Sequence, residues 1–130
     1  MRDRRLDELC GEYVERARRH LPVEVSEVED DAGLLLKLPA GSEIVALEPG
    51  GKSWTTQALT EHIGERMNRG QRAIVFLIGA ADGLPADVVA KAHLRLSLSP
   101  LTLPHRLARL LLCEQLYRVI SRLRGEPYDR

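Results

Sequence analysis

Ala73-Ile74-Val75-Phe76-Leu77-Ile78 runs straight into Gly79-Ala80-Ala81-Asp82-Gly83. Six apolar residues without a polar break predict a strand buried on both faces, since a half-solvated strand would alternate. The small-residue loop behind the run marks the strand's carboxyl end. Ile44-Val45-Ala46-Leu47 has the same character and ends on Glu48-Pro49-Gly50-Gly51-Lys52. Between the two runs, residues 55–68 predict a helix, with Thr55 or Thr56 at its start and Gly70 just past its end. Strand, helix, strand is the pattern of a crossover between parallel strands.

Downstream, residues 85–92 predict a helix and His93–Leu98 a third strand. A long helix over 104–123 then opens with Pro104 in its first turn. Upstream, Leu6, Leu9, Cys10, Tyr13, Val14 and Ala17 place one apolar face on a helix over 3–20. Pro22 ends that helix, and Val23, Val25 and Val28 suggest a strand. Asp30-Asp31 can cap a short helix through Leu38, before a turn at Pro39-Ala40-Gly41. The expectation is an α/β fold, a mostly parallel sheet flanked by helices, with residues 1–130 forming a single domain. No internal repeat, low-complexity tract or linker interrupts it.

Hydrophobic residues make up 44% and charged residues 29% of the chain, so a core is affordable and must be aliphatic, because only one Trp, three Tyr and one Phe are present. The 19 basic and 19 acidic residues cancel, so the chain as a whole is no polycation. The charges are nonetheless uneven. Residues 21–50 carry seven acids against one Lys, and residues 104–130 carry six Arg against three acids. A basic C-terminal segment can hold an anionic partner locally, although a solvated helix surface would look the same. Cys10 and Cys113 lie in apolar helical stretches, without a CxxC neighbour or a His at ligand spacing. They suit a reducing compartment and do not suggest a metal site. Met1-Arg2-Asp3-Arg4-Arg5 lacks the apolar run of a signal peptide, and no stretch reaches the length of a membrane span. A cytoplasmic protein is expected, with no metal and no membrane partner.

Ligands of open parallel sheets sit beyond the carboxyl ends of the strands. Three loops rich in small residues fall there: Glu48–Lys52, Gly79–Leu84 and Ser99–His105. Glycine allows backbone to approach a ligand closely, although these could equally be tight turns. The Gly79–Gly83 spacing is neither a dinucleotide fingerprint nor a P-loop, and no G-x-S-x-G is present. His20, His62, His93 and His105 have no evident acid and nucleophile partners, so a hydrolase has little support.

Phe76-Leu77-Ile78-Gly79-Ala80-Ala81-Asp82-Gly83-Leu84 resembles an F-x-I-G-G-x-x-G-L loop. Leu96-Ser97-Leu98-Ser99-Pro100-Leu101-Thr102-Leu103-Pro104-His105 is similar to an L-S-L-S-x-x-T-L-P-H segment. Ile44–Leu47 with Gly51-Lys52 is similar to I-x-L-D-x-x-G-K, and Arg109, Glu114-Gln115-Leu116-Tyr117-Arg118 and Pro127-Tyr128-Asp129-Arg130 follow in order. Together these motifs, over residues 43–130, resemble the RlmH-type 23S ribosomal RNA pseudouridine-N3 methyltransferases of the SPOUT superfamily.

The resemblance implies a C-terminal trefoil knot, which periodicity would not have suggested because threaded chains are exceptional. It implies S-adenosyl-L-methionine as cofactor, held by Leu47, Gly79, Leu98, Ser99, Pro100, Leu101, Thr102 and Leu103. It also implies a homodimer acting on 23S rRNA in the 70S ribosome. His105 and Arg109, next to the cofactor loop, are the candidates for proton transfer and for contact with phosphate or the uracil anion. Arg118, Arg122, Arg124 and Arg130 are candidates for RNA phosphates, and Tyr128 for stacking. Leu107, Leu110, Leu111, Leu112, Leu116, Val119, Ile120 and Leu123 make the last helix apolar around much of its girth, so cover on more than one side is expected, by its own sheet and by a partner helix.

Four departures from the family pattern stand out. The family's N-terminal hydrophobic strand is absent, which predicts an edge or gap in the sheet. The region 30–42 is shorter than usual, Ala80 replaces a common second Gly, and Asp129 stands where His is typical. These departures leave room for a non-catalytic knotted dimer that binds RNA or ribosomes, or for methylation of another RNA.

Overall fold

β3 (Ile74–Gly79) lies inside a sheet of four parallel strands in the order β1-β3-β2-β4. Its flanking neighbours are β1 (Val23–Val28) and β2 (Glu43–Ser53), and β4 (Leu94–Ser97) pairs with the far side of β2. The computed structural model describes residues 4–18, 23–28, 38–79, 83–99 and 101–128. The short helix expected after Asp30 lies outside these residues, as do Ala80, Pro100, Asp129 and Arg130. The remaining helices are α1 (Arg4–Arg18), α2 (Thr56–Asn68), α3 (Ala86–Lys91) and α4 (His105–Leu123).

Residues 74–78 are all buried, as an unbroken apolar run on an interior strand requires. The pleat divides them. Ile74, Phe76 and Ile78 face the larger core with Val45, Leu47, Leu96 and residues of α1, α2 and α4. Val75 and Leu77 face the other side, where Val88 of α3 and the half-buried Leu38, Ile44 and Leu84 cover them. Helices on both faces explain why no polar alternation survives in β2 and β3. The start of α2 matches its sequence signal, because the Thr55 hydroxyl accepts from the Ala58 N–H at 3.0 Å.

β1 pairs with β3 in register from Val23↔Ile74 to Val28↔Gly79 and forms one edge of the sheet among the described residues. One expectation needs correction. The second run, expected to end at Leu47, continues to Ser53. Leu47 and Lys52 both pair with Leu96, so residues 48–51 form a bulge between two paired stretches of one strand. Glycine permits the re-entry: a Cβ on Gly51 would stand 2.7 Å from the Arg95 carbonyl carbon. Glu48-Pro49-Gly50-Gly51 reads as a turn from sequence, and a bulge uses the same residue types.

α4 is covered on two sides within the chain. Leu112, Leu116, Val119 and Ile120 enter the sheet-side core. α1 runs beside α4 in the same direction, joined by Arg106–Asp7 (3.2 Å), the hydrogen-bonded Cys113 and Cys10 side chains, and the Tyr117–Tyr13 ring contact (5.9 Å between centroids). Leu111 and Leu123 remain exposed.

Candidate active site

The bulge of β2 and the carboxyl ends of β3 and β4 open onto a cleft of about 530 Å³, a size that takes a small-molecule ligand or cofactor. Each strand contributes the residues that follow its apolar run. β2 supplies Leu47, Glu48 and Pro49, and β3 supplies Ile78 and Gly79 with Gly83 beyond it. Leu98, Ser99, Leu101, Thr102 and Leu103 follow β4, and Pro104, His105 and Ala108 begin α4. Parallel strands all point the same way, so one sheet edge collects all these loops.

Local hydrogen bonds shape the loop after β4. The buried Ser97 hydroxyl donates to the Ser99 carbonyl (2.9 Å), and the Ser99 hydroxyl accepts from the Leu101 N–H (3.0 Å). Both serines thereby substitute for backbone partners in a tight turn. The turn leaves Leu101 72% exposed at the rim, an apolar side chain that a ligand or second chain would cover. On β3, Gly79 meets backbone directly. A Cβ there would lie 2.3 Å from the Gly83 carbonyl carbon, so the backbone of Gly83 lies against Gly79 with no space for a side chain.

Leu47, Gly79, Leu98, Ser99, Leu101, Thr102, Leu103 and His105, all singled out from the sequence, meet in this cleft. Pro100 lies outside the described residues. Glu48, Pro49, Ile78, Gly83, Pro104 and Ala108 also line it and were not singled out. Glu48, Pro49 and Gly83 had one signal, their place directly behind apolar runs. Arg109 is not among the lining residues. It sits one turn further along α4, with its Nε shielded from solvent and its charge acting on the Cys113 thiol.

The other arginines gather at the far end of α4. From His105 to Arg122 a helix rises about 25 Å at ~1.5 Å per residue, so cleft and basic segment lie at opposite ends of one helix. Arg118 pairs with Glu114 (2.6 Å) and lies over the Tyr128 ring, 5.1 Å from its centroid. Arg122 reaches Gln57 Oε1 (3.3 Å), and Arg124 pairs with Glu126 (2.7 Å). Tyr128 packs edge-on against Tyr117 at 4.7 Å, and its O–H donates to Glu114 Oε2 at 2.9 Å. Burial, the Tyr13 hydroxyl and the Glu114 carboxylate push the Tyr128 phenol well above its usual range. All three tyrosines of the chain thus meet where α1, α4 and the C-terminal segment join. Arg130 lies outside the described residues. No group of three potential metal ligands occurs among the described residues, and no described helix is long and apolar enough to cross a membrane.

Comparison with known proteins adds a family to this geometry. A family model described as "Predicted SPOUT methyltransferase" matches residues 1–129. The chain is 45% identical to a protein of Sorangium cellulosum (strain So ce56) named Ribosomal RNA large subunit methyltransferase H, over 98% of this chain and 92% of that one. Proteins of the same name from Anaeromyxobacter dehalogenans (strain 2CP-C) and Dechloromonas aromatica (strain RCB) are 42% and 41% identical, over 92% and 96% of this chain and 86% and 89% of theirs.

Proposed function

Since the chain belongs to the SPOUT methyltransferase family, we propose that it is an S-adenosylmethionine-dependent methyltransferase of 23S ribosomal RNA, acting on N3 of a pseudouridine as a homodimer on the 70S ribosome in the cytoplasm. One observation carries the assignment. A single cleft at the carboxyl edge of the sheet gathers eight of the residues singled out from the sequence. The cleft suits the cofactor chemically, with leucine walls for an adenine ring and, among the described residues, the Glu48 carboxylate for its positive charge.

When bound, S-adenosylmethionine supplies a methyl group activated by its sulfonium. The protein's own work is to bind, orient and exclude water. The Ser97 and Ser99 hydroxyl hydrogen bonds and the close approach of the Gly83 backbone to Gly79 fix parts of the cleft wall within the chain itself, which lowers the ordering cost of binding. Alignment of the acceptor nitrogen with the methyl group supplies much of the rate. The acceptor N–H must also lose its proton, and the proposed acceptor of that proton is an imidazole nitrogen of His105, which lines the cleft in the first turn of α4.

RNA binding falls to Arg118, Arg122, Arg124 and Arg130, with Tyr128 beside them and Arg109 nearer the cleft. Because cleft and arginine cluster occupy opposite ends of α4, an antiparallel pairing of two α4 helices would set each cluster beside the partner's cleft. The exposed Leu111 and Leu123 supply apolar surface for such a pairing.

The deciding experiment is methyl transfer from labelled S-adenosylmethionine to 70S ribosomes lacking the pseudouridine methyl mark. Label mapped to that pseudouridine is the expected result. Cofactor binding without transfer would leave a binding-only dimer or another RNA substrate, and absence of cofactor binding would overturn the assignment of the cleft.

A further inference from the structure

Among the described residues lining the cleft, Glu48 is the one acid, and His105 is the one other ionisable side chain. The way the chain places this carboxylate is unusual for a strand residue. Had β2 continued its ladder past Leu47, Glu48 would have paired along β4. Instead residues 48–51 bulge out opposite Leu96, and pairing resumes only at Lys52. The backbone of Gly51 seats on Arg95, too close for any side chain. From the next strand, Arg95 Nη1 donates to Glu48 Oε1 at 3.1 Å. Glu48 is 24% exposed, whereas Arg95 is 56% exposed. The acid therefore lies in the cleft wall and its partner lies toward solvent. Coulombic effects are stronger in a cleft walled by leucines than in water.

We propose that Glu48 is a charge-selecting residue, whose carboxylate favours the sulfonium form of the cofactor over the demethylated thioether product, against the opposing charge of the more exposed Arg95. This rests on the cleft being the cofactor site. The sulfonium carries one more positive charge than the thioether, so a fixed carboxylate in the cleft separates the two by charge, and loss of that charge on transfer weakens the hold on product. Binding of the reactive form and release of the spent one then follow from a single group.

Calorimetric titration of the full-length protein with S-adenosylmethionine and with S-adenosylhomocysteine tests this without any turnover. Glu48→Gln is expected to lower the preference for S-adenosylmethionine by about tenfold, chiefly by weakening that ligand. Arg95→Gln is expected to keep or sharpen the preference, because it removes the competing positive charge while the carboxylate stays. An unchanged preference in Glu48→Gln would overturn the inference. Equal loss of preference in both variants would also overturn it, since the pair would then act only by holding the bulge. Binding of neither ligand by the unaltered protein would instead remove the cofactor assignment itself, and this inference with it.

Discussion

Gly79 has no room for a methyl group, and the reason is steric: backbone atoms of Gly83 and Leu84 occupy the place of a Cβ. Gly79→Ala forces one of two unyielding segments to move. It is expected to cost about 1–3 kcal/mol of stability and to abolish cofactor binding, both checked by thermal unfolding with and without S-adenosylmethionine. Glu43, at the other end of β2, shows a different single-residue effect. Its side chain is only 8% exposed, and it accepts from Arg66 Nε at 2.7 Å and lies 2.6 Å from His62 Nε2. Burial alone would raise its pKa, but the His62 and Arg66 hydrogen bonds and charges outweigh burial and hold it below 4.5. A lowered folded-state pKa contributes stability that is fully present above the unfolded value and is lost as pH falls through the folded one. Glu43→Gln is therefore expected to destabilise by ~1.5–3 kcal/mol near neutrality. The difference from the unaltered protein should shrink below about pH 4.5, as urea titrations across pH would show.

At the level of elements, α4 joins everything that matters. Its first turn lines the cleft, its middle fills the core and its last turns carry the arginines. Leu112 is fully buried between the sheet and α4's neighbours, so Leu112→Ala is expected to cost ~2–5 kcal/mol by transfer and cavity terms together. The α1–α4 contact has its own signature. Burial pushes the Cys113 thiol up to about 12, the neighbouring Cys10 adds to this and Arg109 opposes it. At pH 8 very little of the thiolate that reacts with alkylating agents would be present. Both cysteines are buried, so alkylation is expected to be very slow in the native protein and complete in denaturant, a result mass spectrometry would read directly. Fast native alkylation would mean that α1 separates readily from α4.

The whole molecule has its cleft and its arginine cluster about 25 Å apart along α4. The proposed homodimer brings the two together, and the exposed Leu111 and Leu123 are its candidate contacts. Leu111→Lys is expected to raise the dissociation constant at least tenfold in sedimentation equilibrium, with folding unchanged because the position faces solvent in the single chain. A monomeric unaltered protein that still methylates ribosomes would overturn the pairing.

Element order, strand direction and the edge that holds the cleft were all legible in the residues themselves. Apolar runs of the length of β3, a capped helix between two of them, and glycines behind each run leave a parallel sheet with its loops on one edge as the consistent solution. These are local properties of short windows. Where β2 ends, what closes the sheet beside β3 and what covers the second face of α4 were not legible, because each depends on a partner distant in the chain. Leu96 decides that residues 48–51 bulge rather than turn, Ile74–Gly79 decides that β1 lies at the sheet edge beside β3, and Asp7, Cys10 and Tyr13 decide that α1 covers α4. The same distinction holds within the site. Sequence determined which side chains reach the cleft from the loop after β4, since they are consecutive. Sequence put the loop that starts at Glu48 on that edge, but only the tertiary structure set the Glu48 side chain in the cleft wall, because a bulge's direction is fixed by packing across the sheet.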